Sequence, residues 1–248
     1  MTARTIASIL VFMSAATALP TLGQQPQEQE SYKNLQILPK DISTDSLRAV
    51  MSTFASSMGV RCSYCHVQKR GSRDFAADDK ATKHITRSMM RLTNDINATL
   101  RAEGGDGIVP VDCVTCHHGV TVPRTLQTVL LQTLHSDGID AAIGRYRQVR
   151  DEFYGRSTYD FGETSLSELA GNLSRSKDDY AAIEFLRLNL EFFPESTFTL
   201  AQLAGCLHRI GALSEARMRL DEALRLDPDS RFVQRQMREL FGEPADPK

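Results

Sequence analysis

Residues 61–68 read RCSYCHVQ, a stretch in which two cysteines separated by two residues are followed directly by a histidine. The pattern occurs twice, as CSYCH over Cys62–His66 and as CVTCH over Cys113–His117. The two copies contain four of the five cysteines in the 248-residue chain. A single copy would carry little weight, but a repeat that uses every cysteine except Cys206 indicates a specific chemical role.

The C-x-x-C-H pattern is typical of covalent c-type haem attachment. The two thiols of each copy would form thioether bonds to the haem, and the adjacent imidazole would bind the iron from one side. The sequence therefore predicts two covalently attached haem c groups. Their attachment residues would be Cys62, Cys65, Cys113 and Cys116, and their proximal ligands His66 and His117.

Two other types of site use paired cysteines. A four-cysteine zinc site is built from C-x-x-C pairs, but it would leave both histidines unexplained, and the two pairs are further apart than in a usual zinc ribbon. A thioredoxin-like disulfide is expected near a βαβ pattern, and no such pattern surrounds either motif. We therefore favour haem over zinc and over a redox disulfide.

A segment with helical periodicity precedes each motif. The first begins at Ser43 or Thr44, a fair N-cap, and ends at Gly59. Its apolar residues fall on one helical face, as do those of the second segment. They are Leu47, Met51, Phe54 and Met58 in the first, and Ile85, Met89, Leu92, Ile96 and Leu100 in the second. Periodicity predicts that these methionines face inward, but an inward methionine is more often core than ligand.

The span from about residue 34 to 123 resembles the cytochrome c subunit of photosynthetic reaction centres. The resemblance runs through SLRAVMSTFASSMGVRCSYCH, ITRSMMRLTNDIN and VDCVTCHHG. It implies that a methionine on the helix before each motif is the sixth iron ligand, which here gives Met51 and Met89. That subunit typically carries two such pairs of motifs and an arginine where this chain has His118. A bis-histidine alternative would use His84 or His118.

The C-terminal half shows a repeat of 34 residues, the spacing of Pro194 and Pro228, which is the tetratricopeptide (TPR) period. The apolar and small positions of the pattern are filled in both repeats. They are Leu166, Leu169, Ala170, Leu173, Ala182 and Leu186, and then Leu200, Leu203, Ala204, Leu207, Gly211, Ala216, Leu220 and Ala223. A divergent helical pair is predicted before them, and a capping helix after them, over residues 230–240.

The first residues, MTARTIASILVFMSAATALPTLGQQ, combine one early arginine, a short apolar stretch and small residues. This is typical of a secretory signal peptide, and the apolar stretch is short for a membrane span. We expect a periplasmic protein, or a membrane-anchored one if the peptide stays uncleaved. The expected divisions are a signal peptide (1–23), a linker (24–33), a dihaem helical domain (34–124), the divergent pair (125–160) and TPR-like repeats with their cap (161–248).

These patterns predict an all-α fold in which a dihaem cytochrome domain precedes a short α-solenoid. The expected function is electron transfer to a redox partner protein or a membrane electron-transfer complex, with the repeats docking the partner or binding a peptide in their groove. The alternative is an enzyme, a dihaem peroxidase-like oxidoreductase with a displaceable axial ligand. The net charge of −2 does not suggest nucleic-acid binding.

Overall fold

A computed structural model describes residues 32–69 and 72–242, so the predicted signal peptide lies outside the described residues. Within those residues the chain forms ten α-helices and one two-stranded antiparallel ribbon, which confirms the all-α prediction. The N-terminal elements are α1 (Thr44–Met58), β1 (Val67–Lys69), β2 (Ser72–Asp74), α2 (Ala81–Gly104) and α3 (Cys113–His117). The C-terminal helices are α4 (Leu126–Asp137), α5 (Ile139–Phe153), α6 (Glu163–Arg175), α7 (Asp179–Phe192), α8 (Thr197–Arg209), α9 (Leu213–Leu226) and α10 (Arg231–Phe241).

Helix α1 begins and ends where its capping residues predict. The Ser43 side chain accepts a hydrogen bond from the Ser46 backbone N–H, which satisfies one of the free donors of the first turn. Gly59 ends the helix in the left-handed conformation, with φ 65°, which glycine adopts at little cost. Only two residues, Val60 and Arg61, then separate this glycine from the first motif.

The hydrophobic core is built by the C-terminal helices, from Leu126 to Met237. All the leucines and alanines predicted from the 34-residue pattern are buried, whereas Pro194, Gly211 and Pro228 lie in turns and are exposed. Consecutive helices pack against one another from α6 through α9, and α10 packs on α8 and α9. Helices α4 and α5 pack against each other, and Ala142 is buried.

A buried polar cluster joins three of the C-terminal helices. The Asn189 side-chain amide donates hydrogen bonds to the Glu163 carbonyl (2.8 Å), to Ser167 Oγ (3.0 Å) and to Thr199 Oγ1 (2.9 Å). All but Glu163 are buried. Because buried polar groups are costly unless they are paired, this cluster fixes the register of α6, α7 and α8.

The N-terminal region is held differently, because none of its described apolar side chains joins this core. A loop ties it to the helical array, where Thr158 Oγ1 donates a 2.6 Å hydrogen bond to the His118 carbonyl oxygen. No helix among residues 32–69 and 72–242 combines the length and the apolar character needed to cross a membrane.

Candidate haem-binding sites

The first motif folds into a single tight turn. A short 3₁₀ helix covers Cys62–Tyr64, and the backbone N–H groups of Cys65 and His66 both bond to the Cys62 carbonyl, at 3.3 and 3.0 Å. The turn therefore gathers two thiols and one imidazole within five residues, as attachment of a single haem requires.

The imidazole of His66 lies against the ring of Phe75, edge to face, with ring centroids 5.1 Å apart. Burial of His66, together with the positive charge of Lys83, lowers its pKa below the ordinary histidine value. The neutral imidazole is the form that binds metals. The surroundings therefore favour the ligand form of this side chain.

The second motif forms the short helix α3, which an Asp112 capping box starts. Asp112 Oδ1 accepts a bond from the Thr115 N–H at 3.1 Å, and the Asp112 N–H donates to Thr115 Oγ1 at 3.0 Å. At the other end, His117 Nδ1 lies 2.9 Å from the Val120 carbonyl oxygen. Because a carbonyl only accepts, Nδ1 carries the proton and Nε2 is left as the nitrogen that can bind iron.

Helix α1 supports the second motif by direct backbone contact. The Gly119 N–H donates a 2.8 Å hydrogen bond to the Ser57 carbonyl oxygen. Gly59 lies so close that a Cβ placed on it would overlap the Gly119 carbonyl oxygen. The C-terminal end of α1, the helix that carries Met51, is thereby fixed against the turn that follows His117.

Helix α2 contacts the first motif and the segment that leads into the second. Near its start, Thr82 Oγ1 donates to the Tyr64 carbonyl oxygen at 2.7 Å, and Thr86 Oγ1 lies 3.8 Å from Cys65 Sγ. Further along, the Asn97 side chain makes two 2.8 Å hydrogen bonds with the backbone of Val111, just before the second motif. Both attachment turns are therefore held on one helix.

The apolar stripe of α2 does not face a protein core, so the expectation that it points inward is wrong for the described residues. Four of its five residues are 39–60% exposed: Ile85, Met89, Leu92 and Ile96. The opposite face of the helix carries Lys83 and Arg87, which are buried. The helix thus packs into the protein through charged residues and presents its apolar residues outward.

The predicted iron ligands stand on the elements that the sequence assigned to them. Met51 is half-buried on α1, and Met89 is exposed within the α2 stripe. Met58, one residue before Gly59, lines a cleft of about 680 Å³ between α1 and α4. Of the histidines in the alternative, exposed His84 lies 2.9 Å from the Asp78 carbonyl oxygen, and His118 occupies the left-handed end of α3.

The donor set of these turns fits haem c. The four motif cysteines lie at half-buried or exposed positions, each pair in the same turn as a histidine. Among the described residues, no three histidine, cysteine or acidic side chains converge as a zinc site would require. An exposed apolar helix face beside two such turns matches the flat, largely apolar surface of a porphyrin.

A charged network, which was not predicted from the sequence, lies behind the first motif. Lys83 Nζ donates to the carbonyl oxygens of residues 75, 76 and 77, at 2.8–3.0 Å, and lies 3.0 Å from Asp78 Oδ1. Arg87 Nη1 pairs with Asp78 Oδ2 at 2.9 Å. The spacing of Lys83 and Arg87, four residues apart, shows that they share a face, but charged residues at that spacing usually form a solvated face.

Comparisons with known proteins bear on these sites. The family described as "Photosynthetic reaction centre cytochrome C subunit" matches residues 7–149, more than half of the chain. The photosynthetic reaction center cytochrome c subunit of Thermochromatium tepidum is 33% identical over 101 residues, covering 40% of this chain and 23% of that protein. Cytochrome c-554 of Chloroflexus aurantiacus is 29% identical over 112 residues, covering 44% and 25%.

A longer match, to the photosynthetic reaction center cytochrome c subunit of Rubrivivax gelatinosus, is 26% identical over 174 residues, or 66% of this chain and 44% of that protein. The chain thus spans less than half the length of each of these relatives. The family match covers both C-x-x-C-H turns and the helices α1 and α2 that hold them. This chain belongs to the photosynthetic reaction centre cytochrome c subunit family.

Proposed function

We propose that this protein is an exported dihaem c-type cytochrome that transfers electrons and docks to its partner through its C-terminal helices. The observation that carries the proposal is the pair of C-x-x-C-H turns held on one helix, α2. Haem c supplies a one-electron ferric–ferrous couple. The protein's part is to hold, orient and shield two such groups.

In this proposal each turn provides two thioether positions and one proximal imidazole. Cys62, Cys65 and His66 would hold the first haem, and the corresponding residues of α3 the second. Met51 on α1 and Met89 on α2 would be the sixth ligands, since each stands on the helix that precedes its motif. Methionine ligation raises the reduction potential, which suits a carrier more than a peroxidase.

The partner would be a redox protein or a membrane electron-transfer complex outside the cytoplasm. The names of the relatives, which include subunits of photosynthetic reaction centres, support this class of partner. Helices α6–α10 fit a TPR-like array, because the buried positions repeat every 34 residues. Their groove, with Gly171 and Gly205 in its lining, would receive a segment of the partner.

Haem stoichiometry provides the first test. The full chain would be exported in a host that has the c-type maturation machinery, and its intact mass and pyridine haemochrome spectrum would be measured. We expect two covalent haems in the wild type and one in the double variant Cys113→Ser/Cys116→Ser. The control Cys206→Ser should keep two, because Cys206 is a buried residue of α8 outside both motifs. A wild type without covalent haem under these conditions would refute the proposal.

The axial ligands can be tested with neighbouring methionines as controls. We expect Met89→Leu to abolish one methionine–iron charge-transfer band of the ferric protein and to lower one midpoint potential. Met90→Leu, on the adjacent helix position, should leave both unchanged. At the other site, we expect Met51→Leu to have these two effects and its control, Met58→Leu, to have neither. A wild-type haem that already binds carbon monoxide readily would instead favour the peroxidase-like alternative.

The docking role calls for a variant that fills the groove without disturbing the haem sites. A Cβ at Gly205 would lie 3.6 Å from Arg209 Nη1 and 3.7 Å from Gln236 Oε1, so Gly205→Leu would extend into the groove. We expect this variant to keep its haem spectrum but to accept electrons more slowly from membranes of the source organism. Gly144→Leu, at an exposed position on α5, is the control.

A further inference from the structure

The two attachment turns lie in different electrostatic surroundings. At the first turn, Lys80 Nζ donates a hydrogen bond to the Ser63 carbonyl oxygen, inside the motif itself. Lys83 bonds to the carbonyl of Phe75, whose ring packs on His66. Two ammonium groups therefore reach the first turn, one directly and one through a single intervening residue.

Two of the cations at this site are shielded from water. Lys83 and Arg87 are 9% and 7% exposed, whereas the side chain of Asp78, which pairs with both, is 30% exposed. A second carboxylate, Asp74, is half-buried and accepts bonds from backbone N–H groups of its own loop. Water and salt screen exposed charges more than buried ones, so the positive charges have the greater effect at this site.

The second turn has a negative charge beside it, at the N-cap of α3. The side chain that starts α3 is Asp112, whose carboxylate accepts bonds from the Thr115 N–H and hydroxyl within the motif. Its negative charge also contributes to raising the pKa of the Cys113 thiol, an effect in which burial is the larger cause. A carboxylate thus lies inside the turn where the first motif has an ammonium group.

We propose that buried Lys83 and Arg87 give the haem of the first motif a higher reduction potential than that of the second, which Asp112 lowers. The inference rests on the proposed function. Each centre takes up one electron, with no bond formed or broken, so reduction removes one unit of positive charge from it. Nearby cations favour that change, and a nearby carboxylate opposes it. Electrons entering this protein therefore collect at the first motif.

Spectroelectrochemical titration of the holoprotein tests this assignment. In Lys83→Gln, we expect the higher of the two midpoint potentials to fall, with about a tenfold loss in the equilibrium constant for reduction, or about 59 mV for one electron. The lower potential should stay in place. In Asp112→Asn, the lower potential should rise instead. Lys83→Arg should keep the wild-type values, because it retains the charge.

The control is Lys177→Gln, which removes one positive charge from the turn between α6 and α7. If Lys83→Gln fails to fold, Lys80→Gln serves in its place, with the same direction expected. The proposal is overturned if the variant shifts the lower potential, or if it shifts neither. Haem stoichiometry is measured first, so a preparation without two covalent haems counts against the proposed function and not against this inference.

Discussion

Replacing Gly59 with alanine should damage the junction between α1 and the second motif. The residue has φ 65° and ψ 31°, a left-handed conformation that a side chain disfavours. The added Cβ would overlap the Gly119 carbonyl oxygen and lie 3.0 Å from its carbonyl carbon. Because these are backbone atoms, no rotamer change can relieve the contact. The two segments must separate, which strains the 2.8 Å bond from Gly119 N–H to the Ser57 carbonyl.

The size of the effect follows from these two costs. A left-handed residue with a Cβ costs about 1–2 kcal/mol. Loss of the backbone hydrogen bond adds about 1–2 kcal/mol, since both of its groups lie in a packed junction. We therefore expect the free energy of unfolding to decrease by about 2–4 kcal/mol in Gly59→Ala.

Urea unfolding of the haem-loaded protein, followed by the haem absorbance and by far-UV circular dichroism, measures this loss. Gly242→Ala is the matched control, because Gly242 ends α10 with φ 70° and ψ 10° but, among the described residues, nothing lies near an added Cβ. It should lose only the conformational cost, about 1–2 kcal/mol, without the added cost of the broken hydrogen bond. Equal losses in the two variants would refute the argument that contact with Gly119 matters.

Three further predictions concern single side chains. Asn189→Ala should lower the free energy of unfolding by about 2–3 kcal/mol, because it removes the three hydrogen bonds that join α7 to α6 and α8. Asn172→Ala, at an exposed position on α6, is the urea-unfolding control. Hydrogen bonds, chiefly from Arg87, hold the pKa of Asp78 well below its usual range. The Asp78 carboxylate therefore stabilises the folded protein above about pH 4, and this contribution is lost as the pH falls towards the folded-state pKa. A difference in unfolding free energy between wild type and Asp78→Asn that stayed constant across that range would contradict this. Arg209→Gln removes a partly exposed ion pair to Asp179 and should cost less than about 1 kcal/mol, with a smaller difference in high salt.

The C-terminal array was predictable because its signals are local and periodic. Small residues at Ala170, Ala182, Ala204 and Ala216 mark close helix contacts, and all four are fully buried. The ends of α1 were predictable for a related reason, since caps such as Ser43 act within one turn. Both C-x-x-C-H motifs could be identified from the sequence too, because each places all its groups in five residues.

The rest depends on long-range contacts that leave no local pattern. The stripe around Met89 has the period of a buried helix face, yet the protein covers the other face instead. Lys83 and Arg87 satisfy their charges with backbone carbonyls and Asp78, partners that no sequence rule selects. The ribbon that presents Phe75 to His66 is two strands of three residues, too short for a period to be visible.

Because α2 buries its charged face and exposes its apolar face, substitutions on it should be interpreted differently from those on an ordinary surface helix. On an ordinary surface helix, Lys83→Leu would be tolerated, and Ile85→Lys would destabilise the protein by placing a charge in the hydrophobic core. Here the first removes a buried cation from its carbonyl partners, and the second introduces charge on the outward apolar face. If haem covers the apolar face, as the proposed function requires, a mutational scan of α2 should find both faces intolerant and only narrow flanks, such as Arg91 and Asp95, permissive.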